Sequence, residues 1–333
     1  TGAGGSIGSE LCRQILNLNP KKLILIEISE PSLYVISQEL INDCKSPKKI
    51  KTYLGNVTDK NFVSNIFEIE KVDIAFHAAA YKHVPLVELN PFQGILNNYL
   101  STKTICHCAS ENELSNVLLV STDKAVRPTS IMGVSKRIAE IVCQYYSKLS
   151  KKTIFSMVRF GNVLGSSGSV VPLFKDQISR GGPLTLTDPE VIRYFMTIDE
   201  AVHLMIESLN LAKGGDVFLL DMGKPIKILD LAKKMINLSG LSIKDENNPS
   251  GDIEIKIIGL REGEKLYEEL LIEAKSQKTQ HQKIFTAKER LPSLDEIERN
   301  LNNLELALKA NDIKAVLSTS SKLVPEWINA KYY

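Results

Sequence analysis

Residues 117–140 read VLLVSTDKAVRPTSIMGVSKRIAE, and this stretch decides the predicted architecture. It opens with four apolar residues and no polar break, which is typical of a buried strand. A loop with one proline follows, and the region 131–148 then has the apolar periodicity of a helix. A buried strand that leads through a loop into a helix is the repeating unit of an α/β sheet.

The loop after this strand holds three reactive side chains in a row, Thr122, Asp123 and Lys124. In an open α/β sheet the carboxyl ends of the strands face the ligand crevice. The helix that follows carries Met132 and Lys136 four residues apart, and therefore on one face. This arrangement predicts a catalytic site. The alternative for the tripeptide alone is a solvated Asp–Lys pair in a connecting loop, and the residues by themselves leave both open.

The chain begins TGAGGSIG, in which Gly2, Gly5 and Gly8 are spaced three residues apart. Glycine lets a turn adopt positive φ and lets the backbone approach a pyrophosphate. A helix predicted over 9–16 would point its free N–H groups at the phosphates. A flexible loop is the alternative. The turn has neither an initiator Met nor a strand before it, so we expect a fragment of a longer chain.

A strand predicted over 22–27 supports a dinucleotide site, because it ends in Glu27, about 20 residues after the glycines. A carboxylate at this position of a dinucleotide-binding sheet accepts hydrogen bonds from the ribose hydroxyls. No Arg follows Glu27 closely, so a ribose 2′-phosphate would meet an uncompensated negative charge. The pattern favours NAD over NADP, with a surface glutamate at a strand end as the alternative.

Strands and helices continue to alternate, which predicts an α/β fold with a doubly wound parallel sheet. Three alanines at 78–80 would let the backbone approach a cofactor, and the Gly/Ser-rich loop 159–172 suits a hydroxylated ligand. Another helix is predicted to begin within 261–267, and 293–317 reads as two amphipathic helices that form a docking surface. The other predicted strands are 50–54, 72–77, 153–160 and 217–221, and the other helices are 32–43, 59–69, 92–113, 173–180, 198–209 and 229–239.

The composition is that of an ordinary soluble protein, with 333 residues of which 43% are hydrophobic and 24% charged. A net charge of +2 gives no bulk attraction to nucleic acid or to an anionic membrane. No apolar run reaches transmembrane length, no signal peptide is present, and the histidines have no metal-ligand spacing. Scattered cysteines indicate reduced thiols and a cytoplasmic compartment. They are Cys12, Cys44, Cys106, Cys108 and Cys143.

Five stretches together resemble the extended short-chain dehydrogenase/reductase superfamily and, within it, the nucleotide-sugar 4,6-dehydratases of bacterial polysaccharide and glycan biosynthesis. They are HAAAYKHVP at 77–85, STDKA at 121–125, MGVSK at 132–136, RFGNVLG at 159–165 and REGEK at 261–265. The resemblance covers nearly the whole chain and is closest to the long, membrane-anchored CapD-like subgroup. It implies a Rossmann domain, a smaller C-terminal substrate-binding domain, and a parent chain anchored in the inner membrane.

The resemblance also implies a reaction on UDP-N-acetylglucosamine, in which NAD oxidises the 4-hydroxyl, water leaves across positions 5 and 6, and the hydride returns to position 6. Lys124 is implied as the base at the 5-hydrogen and Asp123 as the acid at the 6-hydroxyl. Lys136 would hold the nicotinamide ribose, and Thr122 the 4-hydroxyl. The superfamily's usual Tyr is Met132 here, as in the long subgroup, which leaves the base at the 4-hydroxyl open. The same subgroup favours retention at the 5-position.

The implied contacts of cofactor and substrate come from several loops. Arg193 and Arg261 would clamp the diphosphate with charge-assisted hydrogen bonds. No metal ligand is implied. The cofactor set is Gly2, Gly5, Ser6, Ile7, Gly8, Glu27, Asn56, Val57, Ala78, Ala79, Ala80 and Lys136. The substrate set is Lys82, His83, Asn162, Val170, Pro172, Arg193, Arg261 and Glu264.

Two other functions stay open at this point. A nucleotide-sugar 4-epimerase needs a proton shuttle at the 4-position, where Met132 stands, and has no use for Asp123 and Lys124. A non-catalytic dinucleotide-binding sensor needs neither that pair nor Lys136.

The predicted domains are a Rossmann domain over 1–161 to which 196–221 returns, a substrate-binding domain over 162–195 and 222–290, and a helical tail over 291–333. The expected partner is a UDP-sugar substrate. We expect no nucleic acid, no membrane contact from this fragment, and a homo-oligomeric state.

Overall fold

The computed structural model describes residues 1–43, 46–269, 276–287, 289 and 291–327. The helices are α1 Ser6–Asn17, α2 Glu30–Asp43, α3 Lys60–Glu70, α4 Val84–Leu89, α5 Pro91–Glu111, α6 Ile131–Leu149, α7 Val170–Ser179, α8 Ile198–Ser208, α9 Ile228–Leu238, α10 Leu294–Lys309 and α11 Ile313–Leu323. Short 3₁₀ turns are Pro47–Lys49, Asp123–Ala125 and Leu209–Leu211. The longer strands are β1 Leu23–Glu27, β2 Ile50–Leu54, β3 Ile74–His77, β4 Asn116–Val120, β5 Ile154–Arg159, β10 Asp216–Leu220, β13 Ile253–Ile257 and β15 Ile284–Ala287. The shorter strands are β6 Asn162–Val163, β7 Leu184–Leu186, β8 Ile192–Arg193, β9 Phe195–Met196, β11 Ile226–Lys227, β12 Ile243–Lys244 and β14 Ser276–Lys278.

The central sheet has the strand order β14-β15-β10-β5-β4-β3, with the last four strands parallel and the first two antiparallel at one edge. β1 and β2 form a parallel pair beside it. The first residues of the chain join the two, because Thr1 N donates to Phe76 O at 2.9 Å and Gly2 N donates to Ile26 O at 2.9 Å. The predicted α/β fold with a mostly parallel central sheet is confirmed.

Helices cover both faces of the central sheet, as a parallel sheet requires, since its strands are buried on both sides. Successive residues of β4 point to opposite faces of the sheet, because side chains alternate along a strand. Leu118 belongs to the apolar cluster that contains Leu11 of α1 and Met205 of α8. Leu119 belongs to the cluster that contains Val134 of α6. The end of β4 is therefore held rigidly from both sides.

A smaller layer, formed by segments that follow β5 in the chain, is built on its own apolar cluster, which includes Phe174, Leu184, Ile228, Ile236 and Ile253. α7 and α9 pack there against β7, β12 and β13, which form a three-stranded sheet in the order β12-β13-β7. This cluster is distinct from those of the central sheet. The exact division of the chain into domains stays a prediction.

The two helices predicted in the tail are present as α10 and α11, and the second extends beyond residue 317. They dock on α5 and α6: Tyr99 Oη donates to Leu301 O at 3.4 Å, and Arg137 Nε donates to Glu326 Oε1 at 3.0 Å. Residues 328–333 of the predicted tail lie outside the described residues. Neither these nor any other described helix combines the length and the apolar character needed to cross a membrane.

Four expectations need correction. α1 begins at Ser6, three residues before the predicted start at residue 9. The helix predicted to begin within 261–267 is wrong for the described residues up to 269, which form turns; Gly263 has φ +74° and the Glu264 carboxylate accepts from Arg261 N–H at 3.2 Å. A short helix, α4, precedes the predicted helix 92–113. α7 begins at Val170, three residues before the predicted start.

Candidate active site

A cavity of about 730 Å³ opens at the carboxyl ends of β3, β4 and β5. Its wall combines the N-terminal glycine turn, the loops after these strands, and the first turns of α6. The predicted site residues that line it are Gly2, Gly5, Ser6, Ile7, Gly8, Ala78, Ala80, Lys82, His83, Thr122, Lys124, Met132, Lys136 and Asn162. Those that do not line it are Glu27, Asn56, Val57, Ala79, Asp123, Val170, Pro172, Arg193, Arg261 and Glu264.

The glycine turn forms one wall of the cavity and has no room for side chains at two positions. Gly2 has φ +68°, and a Cβ there would come within 2.8 Å of the Ala79 backbone. A Cβ at Gly8 would come within 1.9 Å of Gly2 O. The backbone is thereby left open toward the cavity at the N-terminus of α1, where free N–H groups favour an anion.

Glu27 holds the glycine turn in place from the end of β1. Its Oε2 accepts from Gly4 N at 3.0 Å, and its Oε1 accepts from Ile28 N at 2.9 Å and Ser29 N at 3.0 Å. The carboxylate sits where the sequence predicts a ribose contact, but both oxygens already serve the backbone. Asn56 and Val57 lie near it, since Gly55 N donates to Glu27 O at 2.9 Å.

The loop after β3 faces the loop after β5 across the cavity. Lys82 Nζ donates to Ser167 O at 3.0 Å. His83 lies so close to Gly168 that a Cβ there would come within 2.4 Å of the imidazole. Burial lowers the pKa of Lys82 and of His83, and for His83 the neighbouring Lys82 charge adds to the effect.

The 3₁₀ turn after β4 brings the predicted catalytic residues together. Asp123 N donates to Phe160 O at 3.1 Å, so the turn stays attached to the strand beside it. Asp123 Oδ1 accepts from Thr122 Oγ1 at 2.9 Å and from Lys124 Nζ at 3.0 Å. Lys124 and Thr122 line the cavity, whereas Asp123 is 2% exposed and lies behind them.

Glu268 joins this group and was not predicted. Its Oε1 lies 3.5 Å from Lys124 Nζ, and Asn162 Oδ1 accepts from the same ammonium at 3.4 Å. Burial works against the charge of Lys124, but Asp123 and, when it is ionised, Glu268 outweigh burial and raise the pKa of Lys124. Lys124 is therefore an ammonium in this state. No local signal in the sequence links residue 268 to residue 124.

Lys136 of α6 also lines the cavity. Its Nζ donates to Val120 O at 2.7 Å, and burial lowers its pKa to about 8. His77 lies nearby; burial and then the Lys136 charge lower its pKa well below the usual value, so it is neutral. Met132 lines the cavity one turn before Lys136 and offers no proton.

The two arginines expected to clamp a diphosphate differ. Arg193 is buried, and its guanidinium donates to Leu266 O at 3.0 Å and Lys265 O at 2.6 Å. It holds the loop that carries Glu268, so a diphosphate contact would require these bonds to be exchanged. Arg261 lies exposed on the same loop. Val170 and Pro172 lie in the first turn of α7.

No group of three or more metal-ligating side chains occurs among the described residues. The cysteines within that range are buried free thiols, at positions 12, 106, 108 and 143. Cys44 lies outside the described residues.

Residues 1–289 match the profile of a family described as polysaccharide biosynthesis protein. The chain is 52% identical over 271 residues to the capsular polysaccharide biosynthesis protein CapD of Staphylococcus aureus, covering 81% of this chain and 44% of that protein. The chain thus spans less than half the length of this relative. It is also 32% identical over 276 residues to a UDP-glucose 4-epimerase of Rickettsia bellii, covering 81% of this chain and 76% of the epimerase.

Two solved structures share the fold. Pen from Bacillus thuringiensis is 33% identical, with a TM-score of 0.76 and 86% of each chain covered. The dTDP-glucose 4,6-dehydratase DesIV from Streptomyces venezuelae, solved with NAD bound, is 20% identical, with a TM-score of 0.68 and 80% of this chain and 85% of that chain covered.

Proposed function

The chain belongs to the family of polysaccharide biosynthesis proteins, and on that premise we propose that it is an NAD-dependent 4,6-dehydratase of UDP-N-acetylglucosamine. The observation that carries the proposal is the position of the turn Thr122, Asp123 and Lys124. It opens into the same cavity as the glycine turn and Lys136. An acid–base pair beside a dinucleotide cradle suits a reaction that combines hydride transfer with elimination of water.

The residues of the glycine turn fit NAD, because Gly2 and Gly8 let the turn pack tightly against neighbouring backbone, and Gly5, Ser6 and Ile7 at the N-terminus of α1 line the cavity where a pyrophosphate would bind. Three backbone hydrogen bonds leave Glu27 one of the about four acceptor positions of a carboxylate, which would meet the adenosine ribose. Lys136 would meet the nicotinamide ribose. When bound, NAD supplies the hydride acceptor and donor that the reaction requires. A titration with both cofactors tests this assignment: we expect NAD to bind about tenfold or more tightly than NADP. Equal or tighter binding of NADP would contradict the Glu27 contact.

The chain's own part in the reaction is to hold and move protons. A ketone at the 4-position makes the adjacent 5-hydrogen acidic enough for a side-chain base. Lys124 faces the cavity and can take that proton once its own has moved to Asp123, across the 3.0 Å hydrogen bond between them. Asp123 then holds the proton that the departing 6-hydroxyl needs. Thr122 would orient the 4-hydroxyl.

Substrate contacts are proposed from the rim. Asn162, Lys82 and His83 line the cavity and offer polar groups to the sugar. Arg261 is exposed and available for the diphosphate, and Glu264 would contact a polar group of the substrate. Val170 and Pro172 would border the nucleotide. Arg193 acts in our proposal by holding the loop backbone rather than by binding phosphate directly.

A 4-epimerase is the second candidate, favoured by the 32% identity to the Rickettsia enzyme. That chemistry needs a proton shuttle at the 4-position, where this chain has Met132. It makes no use of a buried Asp123–Lys124 pair. The dehydratase gives the Asp123–Lys124 pair a task, which the epimerase does not.

Product analysis separates the candidates. We expect NMR of an incubation with UDP-N-acetylglucosamine and NAD to reveal a 6-methyl group and a 4-keto carbon, with loss of the 6-hydroxymethyl signal. UDP-N-acetylgalactosamine as the product would favour the epimerase. Unchanged substrate, with NAD bound, would contradict both enzymes and favour the sensor.

A further inference from the structure

Glu268 is the buried carboxyl group that the mechanism above leaves without a task. Its side chain is 4% exposed, and its Oε1 lies 3.5 Å from Lys124 Nζ. Its Oε2 is buried and has no hydrogen-bond partner among the described residues. An ionised carboxylate with one oxygen desolvated and unpaired is costly, whereas a neutral carboxyl group is far less so.

The charges that face Glu268 come from three elements. Asp123 and Lys124 belong to the turn after β4, Arg193 to β8, and Lys265 to the loop of Glu268 itself. Arg193 donates to backbone carbonyls of that loop, and Lys265 Nζ donates to Val126 O at 2.8 Å. The shared ammonium of Lys124 thus lies between two carboxyl groups, with the shorter contact, 3.0 Å, to Asp123.

We propose that Glu268 is a positioning residue which, as a neutral carboxylic acid, lets the proton of Lys124 pass to Asp123. The proposal rests on the proposed dehydratase function and assigns a role to a residue behind the cavity. It follows from the position of Glu268, which contacts Lys124 but does not line the cavity.

The protons balance as follows. In the resting state Lys124 carries a proton as an ammonium, Asp123 is a carboxylate, and Glu268 is a carboxylic acid. Transfer of one proton from Lys124 to Asp123 breaks an N–H bond, forms an O–H bond, and leaves all three groups neutral. Lys124 then accepts the 5-proton of the sugar. Asp123 gives its proton to the Thr122 hydroxyl, 2.9 Å away, as that hydroxyl gives its own proton to the leaving 6-hydroxyl. The group returns to its resting charges.

An ionised Glu268 would oppose this cycle, because a second carboxylate 3.5 Å away would hold the proton on Lys124. Burial agrees with the neutral form, since it raises the pKa of Glu268, and with the Asp123 charge it outweighs the opposing charges of Lys124, Arg193 and Lys265. The neutral acid therefore makes the proton transfer a local exchange within a buried pair.

The test compares the pH dependence of kcat in wild type, Glu268→Gln and Glu268→Asp. Gln mimics the neutral acid, so we expect kcat of Glu268→Gln to stay within about threefold of wild type and the alkaline fall due to Glu268 to disappear. Asp withdraws the carboxyl from Lys124, and we expect about a tenfold lower kcat with little change in KM. Glu269→Gln is the matched control, because Glu269 is the next residue, is half exposed and contacts Arg127.

An infrared difference spectrum between wild type and Glu268→Gln reports the protonation state of Glu268 without any turnover. We expect a carboxylic-acid C=O band at neutral pH in wild type that is lost in Glu268→Gln and kept in Glu269→Gln. If wild type does not convert UDP-N-acetylglucosamine, the dehydratase proposal fails while this band still decides the state of Glu268.

Three results would overturn the role of Glu268. The first is absence of the carboxylic-acid band in wild type. This result does not depend on whether a variant folds. The second is an alkaline limb in Glu268→Gln identical to that of wild type. The third is a loss of kcat of about a hundredfold or more in a folded Glu268→Gln enzyme that still binds NAD, since the ionised form would then be the working one.

Discussion

Two buried groups of charges flank the end of β4, and they differ in kind. The arginine cluster consists of Arg137, Glu140, Arg159, Glu289 and Glu326 and joins α6 and β5 to the C-terminal part of the chain. The lysine cluster consists of Asp123, Lys124 and Glu268 and lies against the cavity. Ser121 stands between them and donates to Glu140 Oε1 at 2.6 Å.

The arginine cluster is fully paired. Arg159, which is 0% exposed, donates from Nε and Nη2 to the two oxygens of Glu140 at 2.7 and 2.6 Å, and also pairs with Glu289. Guanidinium groups keep their protons at any pH a protein tolerates. The cluster can therefore hold β5, α6 and the tail together, but it has no proton to give.

The lysine cluster is held less completely and can exchange a proton. Lys124 is an amine that becomes a base when its proton moves, and Oε2 of Glu268 has no partner among the described residues. Lys124 is also 23% exposed to the cavity. In the proposed mechanism, a catalytic charge therefore differs from a structural one in having a transferable proton and access to a ligand, not in burial.

Lys124→Arg tests the difference between the clusters most directly, because it replaces the lysine with a guanidinium that keeps its proton, as in the arginine cluster. We expect product formation from UDP-N-acetylglucosamine to fall by about a thousandfold, with thermal stability close to wild type and NAD still bound. Lys124→Ala should likewise abolish solvent exchange at the 5-position in deuterium oxide. Full activity of either variant would remove Lys124 as the base.

Glu140→Gln removes a carboxylate from the arginine cluster and leaves the lysine cluster unchanged. It leaves the Arg159 and Arg137 charges short of one carboxylate in a buried site, and we expect a loss of about 3 kcal/mol in the free energy of unfolding. Urea denaturation measures this. The control is Glu113→Gln, which removes an exposed pair with Lys152 and should cost no more than about 0.5 kcal/mol. Equal costs would contradict a structural role for the cluster.

A change of pH should affect the stability contributed by the two clusters in opposite directions. Burial opposes the charge of Glu140, but Arg159, Arg137 and Ser121 lower its pKa to about 2 from 4.5. Its stabilisation is therefore present above pH 4.5 and is lost as the pH falls toward 2. The difference in unfolding free energy between wild type and Glu140→Gln should shrink over that window.

For Glu268 the pKa is raised, mainly by burial, so wild type binds more protons when folded. Its stability relative to Glu268→Gln should fall as the pH rises above 4.5. Parallel slopes for Glu140→Gln and Glu268→Gln would contradict the distinction between the two clusters.

Met132→Leu carries the smallest expected effect. Leu keeps the apolar volume and removes no proton-transfer group, so we expect kcat within about threefold of wild type. A folded Met132→Leu protein that binds both ligands but is inactive would mean that the proton path does not run through Thr122, Asp123 and Lys124.

Much of the site followed from short stretches of sequence. The glycine turn, the Thr122–Asp123–Lys124 turn and Lys136 were predicted because each lies where a buried strand ends or a helix begins, and local periodicity marks those points. Their shared cavity follows from parallel strands that end at one edge. The expected helix at 261–267 failed because the positive φ of Gly263 and the Glu264 contacts override a helical pattern.

The sequence by itself determined the fold class and the reactive groups at the end of β4, since these depend on patterns within one strand–loop–helix unit. Only the tertiary structure decided that Glu268 meets Lys124, that Asp123 lies behind it, and that Arg193 is engaged by backbone carbonyls. Such contacts join residues far apart in the chain. They depend on how loops pack against a finished sheet, and no local pattern of apolar and polar residues encodes that packing.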